Sequence, residues 1–139
     1  MQARLIAPAT LSLLLCTACA HKVAFENSPL VPAADANVKA RFDHNQNSMV
    51  ELDFKHLARA ERLTPPRALY VVWAEDSNGR LFQLGQLRVN DDRRAQFLGT
   101  TPLSRFRLIV TAEDDPLPEH PSLPYMLATD YFSPNDGIF

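Results

Sequence analysis

The sequence has little cysteine: two residues, Cys16 and Cys19, and none beyond them. This excludes a disulfide scaffold, a thiolate metal site and a cysteine nucleophile from most of the chain. Glycine is scarce too, at four residues, and no Gly-rich phosphate loop occurs. Neither sign of charge dominates. Lys plus Arg number 14 and Asp plus Glu 16, a net charge of −2, which argues against a nucleic-acid binder and against a polyacidic tail. The longest apolar stretch, residues 5–15, has about ten residues, too short to cross a bilayer. What remains is a globular composition, 46% hydrophobic and 22% charged, with eleven prolines that predict Pro-rich loops. At 139 residues the chain allows one domain of ordinary size.

Arg4 and the free amine precede the apolar stretch. Together they read as an export signal over residues 1–18, set apart from the fold. Cys16-Thr17-Ala18-Cys19 then resembles a bacterial lipobox, in which small residues precede a cysteine that becomes lipidated. Thr17 and Ala18 fit the pattern, whereas Cys16 stands where the family usually has Leu. The resemblance implies lipidation at Cys19 and attachment to a membrane through that lipid. Ala20, in place of Asp, implies by the same resemblance an outer-membrane address facing the periplasm. The competing reading takes Ala18-Cys19-Ala20 as an ordinary A-x-A cleavage site, which would release a soluble protein.

Residues 19–37 hold two prolines, several alanines and no sustained period. They read as the lipidated cysteine and a flexible tether, able to reach about 60 Å at roughly 3.3–3.6 Å per residue. The alternative is an ordered edge segment with Val23, Phe25 and Leu30 packed on the domain. Residues 38–139 read as the domain itself.

There the pattern is short strands between turns. Val38, Ala40 and Phe42 alternate with polar residues, as do Val50, Leu52 and Phe54, around the turn cluster 43–48. This predicts a hairpin with one buried face. A short helical turn then ends at Pro65-Pro66. The run Leu69-Tyr70-Val71-Val72-Trp73 predicts a strand covered on both faces, with Trp73 in the core. Asp76-Ser77-Asn78-Gly79 predicts a tight turn. Along 81–89 the phase slips near Gly85, which predicts a bulge. Further strands are expected at 95–98, 105–111 and 125–132, with a Pro-rich surface loop at 113–124. About seven strands so spaced predict an all-β fold, an immunoglobulin-like antiparallel β-sandwich.

The stretches ALYVVWAEDSNGRLFQLGQLRVNDDRRAQF and TTPLSRFRLIVTAEDDP resemble uncharacterised exported bacterial β-domain lipoproteins. More distantly they resemble the periplasmic domain of anti-sigma-K-type factors. The likeness covers about residues 50–115. It implies an exported, non-catalytic sandwich and offers no catalytic residue. Sigma binding does not carry over, because this chain has neither the cytoplasmic segment nor the membrane helix of those factors.

The constellations of reactive side chains in the sequence are weak. Ser77, Ser104, Ser122 and Ser133 sit in predicted turns without a nucleophile elbow. Asp43, Asn45 and Asn47 match the first ligand positions of a calcium loop, but Ser48 and Phe54 replace its Gly and Glu. His44 with Met49, and His56 or His120, lack metal-site spacing. Glu51 and Asp53 alternate on one strand, and Glu75 and Glu113 end two central strands and could share one end of the sandwich. Arg93, Arg94, Arg105 and Arg107 could form a basic patch. Tyr125, Tyr131 and Phe132 could line a groove. No catalytic, cofactor or metal residue is assigned; Cys19 is the one expected site. The sequence therefore predicts a non-enzymatic envelope lipoprotein whose sandwich serves interaction or structure, with a possible envelope protein partner and no nucleic acid. The alternative is a periplasmic binder of a small ligand: glycan, peptide or metal.

Overall fold

The computed structural model describes residues 23–136. The export signal, Cys16 and Cys19 lie outside the described residues, as do Ile138 and Phe139. Among the described residues the fold is all-β, two antiparallel sheets packed as a sandwich. One sheet has three strands: β2 (Asp35–Phe42), β3 (Ser48–Lys55) and β6 (Ala95–Thr101). The other has five: β1 (Phe25–Asn27), β4 (Leu69–Asp76), β5 (Leu81–Leu87), β7 (Phe106–Glu113) and β8 (Leu127–Thr129). Their orders are β2-β3-β6 and β1-β8-β7-β4-β5. The chain crosses between sheets after β1, β3, β5 and β6, the connectivity of an immunoglobulin-type sandwich.

Period-two patterning explains the small sheet. Val50, Leu52 and Phe54 turn inward from β3 and are buried, and Val38 and Ala40 join them from β2. Lys39, Glu51 and Leu98 fall in register on the outer face. The β2–β3 turn is built by Asp43, whose Oδ1 accepts the amides of Asn45 at 2.8 Å and Asn47 at 2.9 Å. Opposite lie Tyr70, Val72, Ala74, Leu108 and Val110 from β4 and β7. Phe106 and Phe132 pack as a tilted pair, 4.8 Å between centroids, toward one end of this core. The Gly85 slip is a bulge: β5 shifts register against Val72 and Trp73.

Three elements differ from the expectations. The span expected as tether belongs to the sandwich from Val23 onward. Val23, Val31 and Ala34 are buried, and β1 pairs with β8, Phe25 opposite Thr129. The last strand is short, Leu127–Thr129, with one isolated bridge further on between Phe106 and Phe132. Trp73 is only 3% exposed but does not lie between the sheets. It packs with Val71 and Ile109 on the outer face of the five-stranded sheet, because Tyr70, Val72 and Ala74 take the inward phase of β4.

Candidate functional site

That outer face carries connected polar side chains at both of its ends. Glu113 ends β7 and is 3% exposed. Its Oε1 accepts from the Thr111 hydroxyl and the Ser122 amide, both at 2.7 Å; its Oε2 accepts from the Ser122 hydroxyl at 2.6 Å. Thr111 Oγ1 accepts in turn from Trp73 Nε1 at 2.9 Å. The Pro-rich segment 114–125 is thereby fastened over Trp73. Gln83 on β5 adds a bond to the Pro116 carbonyl at 2.8 Å, and Tyr125 packs against the Trp73 cluster.

Glu75 lies at the opposite end of the same face. Arg107 donates to its Oε2 from Nε at 2.9 Å, and Tyr131 donates to Oε1 at 3.1 Å. The Arg107 guanidinium also sits 5.6 Å from the centre of the Tyr131 ring. Burial first, and the Glu75 carboxylate next, push the Tyr131 phenol above its usual range. Beside them Asp76 accepts the Asn78 and Arg80 amides, each at 2.9 Å, and the Arg80 guanidinium at 2.7 Å. These bonds, the Arg80 amide foremost, hold its carboxyl below the usual carboxylate range.

The expectation that Glu75 and Glu113 share one end is corrected. β4 and β7 are neighbours but antiparallel, so Glu75 faces Arg107 and Glu113 faces Leu69. The six-residue offset separates them by about 20 Å. The four arginines do not gather either. Arg93 and Arg94 sit in the β5–β6 turn, whereas Arg105 precedes β7 and Arg107 lies in its first residues, at the other end. Phe132 is core rather than groove lining, and Tyr131 is bonded to Glu75. His44 lies in the β2–β3 turn, His56 beyond β3 and His120 in the Pro-rich segment. Among the described residues no three His, Cys, Asp or Glu side chains converge. Glu51 stands opposite Lys39, and Asp53 accepts from Gln96 at 2.9 Å.

Sequence reasoning missed the Trp73–Thr111–Glu113–Ser122 chain, because its signal is cross-strand register and no local motif encodes it. Also missed was a groove of about 350 Å³ lined by Arg59, Glu61, Tyr70 and Arg88. Compared with known protein families, curated proteins and solved structures, the chain finds no significant match.

Proposed function

We propose that the chain is an exported lipoprotein, held through lipid on Cys19 to the inner leaflet of the outer membrane, whose sandwich docks another envelope protein. The supporting observation is how early the sandwich begins. Val23 is already buried, and the chain from Cys19 to Val23 reaches at most about 14 Å. Lipid on Cys19 therefore keeps Val23 within about 14 Å of the anchoring point. Val23 lies toward the end carrying the turns 43–47, 77–80 and 102–105, so that end stays the nearer to the bilayer. The end carrying 56–68 and 88–94 projects about 25 Å further, the length of β3.

A docking role rather than a catalytic one is supported by the buried acids. Glu75 and Glu113 have their oxygens engaged by Arg107, Tyr131, Thr111 and Ser122, so both carboxylates serve the fold. The test is fractionation of cells expressing the full chain or Cys19→Ala. Outer-membrane recovery lost in the variant supports the reading; equal soluble recovery of both overturns it.

A periplasmic small-ligand binder is the second reading, favoured by the groove beside Arg59 and Arg88. A bound glycan or peptide would raise the melting temperature by mass action.

A further inference from the structure

At the end remote from Val23 a groove of about 360 Å³ runs between the end of β3 and the β5–β6 turn. Lys55, Arg88, Asn90 and Arg94 line it, with Asp53 and Gln96 along one wall. Phe54 is paired with Ala95 at the last register step, so Lys55 and Arg94 follow as the next cross-strand neighbours. Like charges so placed repel unless an anion lies between them. Among the described residues Lys55, Arg88 and Arg94 make no ion pair, whereas Arg59, Arg67, Arg80 and Arg107 each do. One oxygen of Asp53 is taken by Gln96, and Asp35 on β2 stands directly opposite Lys55 without an ion pair to it.

The walls are held in place. Asn90 Oδ1 accepts the amides of Asp92 at 3.0 Å and Arg94 at 2.9 Å. The Arg93 amide donates to the Asn90 carbonyl at 3.0 Å, and the Arg93 carbonyl accepts the Leu57 amide at 3.0 Å. Arg93 takes a left-handed φ of 58° to make that link. A groove fixed before binding loses less entropy on binding.

We propose that this groove binds an acidic peptide segment of a partner protein through its side-chain carboxylates. Guanidinium forks match carboxylates bidentately. The amides of Asp92, Arg93 and Arg94, which a phosphate nest would need, are already spent on Asn90. The docking role proposed above gains its partner's chemistry here, and the distance of the groove from the lipid headgroups rests on that reading. Peptide binding itself does not depend on Cys19.

The test is a fluorescence-anisotropy titration of the full chain, in nonionic detergent, with a labelled peptide of alternating glutamate and glycine. The triple variant Lys55→Gln, Arg88→Gln, Arg94→Gln is compared with Arg105→Gln at the opposite end. The proposal expects salt-sensitive binding, weakened at least about tenfold in the triple variant and unchanged in Arg105→Gln. It expects no binding of the matching glutamine peptide. Undetectable binding of the glutamate peptide, equal binding by the triple variant, or equal binding of the glutamine peptide would overturn it. Efficient displacement by inorganic phosphate would reassign the groove to a phosphate group and likewise overturn it. Loss of the membrane anchor, seen in fractionation, leaves this titration unaffected, so the two proposals fail separately.

Discussion

Ser122 grips Glu113 with both of its polar groups, its amide on Oε1 at 2.7 Å and its hydroxyl on Oε2 at 2.6 Å. This pair fastens the Pro-rich segment across the outer face of the five-stranded sheet and leaves Trp73 3% exposed. Glu113→Ala removes the acceptor of Thr111 as well as Ser122. Bonds to a charged acceptor contribute about 1.5–3 kcal/mol each and are not additive. A loss of about 3 kcal/mol is expected, read as a lower urea midpoint. Trp73 is the sole tryptophan, so its emission should also shift to the red before global unfolding. An unchanged midpoint and unchanged emission would mean that the clasp does not hold the segment.

Tyr70 donates its phenol to the Ala58 carbonyl at 2.6 Å and so ties β4 to the segment after β3. Burial, and then the Glu61 charge, raise its pKa well beyond the ordinary tyrosine range. In the unfolded chain the phenol ionises near about 10. The proton is therefore held more tightly in the fold, and this contribution is complete below pH about 10 and fades as pH climbs further. Tyr70→Phe should cost about 1 kcal/mol at neutral pH, since the Ala58 carbonyl loses its donor. The gap between variant and wild type should narrow in alkaline urea titrations. A gap that widens there would reverse the sign.

Asp76 behaves oppositely. Its carboxyl is held below the ordinary range by the Arg80 amide and guanidinium and the Asn78 amide. Its stabilisation is present above the unfolded value of about 3.9 and is lost as pH falls through the lower folded value. Asp76→Asn should be less stable than wild type at pH 7, and the two should converge in strong acid. Guanidinium-free thermal melts across the acid range check this; parallel curves down to the lowest pH would contradict it.

Gly99 makes room for Phe97. A Cβ at Gly99 would stand 2.6 Å from Phe97 Cε1 and 3.5 Å from Leu84 Cβ, at the seam where β5 approaches β6. Gly99→Ala should destabilise by about 1–3 kcal/mol through overpacking. Adding Phe97→Leu should recover part of that loss. If the double variant is less stable than the sum of the single losses predicts, the ring is not the obstacle.

Much of the sandwich is written in local patterns. The alternation of Val50, Leu52 and Phe54, the apolar run at 69–73 and the slip at Gly85 each signal their strand without help from elsewhere. β1 is different, because Phe25–Asn27 is too short for a period and is defined by its pairing with Leu127–Thr129. The face of Trp73 depends on which phase of β4 meets the other sheet, and an unbroken apolar run hides that phase. The separation of Glu75 from Glu113 depends on strand direction. Lys55, Arg88 and Arg94 meet only once β3, β5 and β6 have taken their places, so no spacing in the sequence announces the groove.

Intact mass of the purified mature chain decides whether lipid tethers the sandwich a few residues before Val23. The account predicts a chain beginning at Cys19 that carries a diacylglyceryl group and an N-acyl chain, with neither present on Cys19→Ala. A chain beginning after Ala20 with no added lipid mass would contradict it.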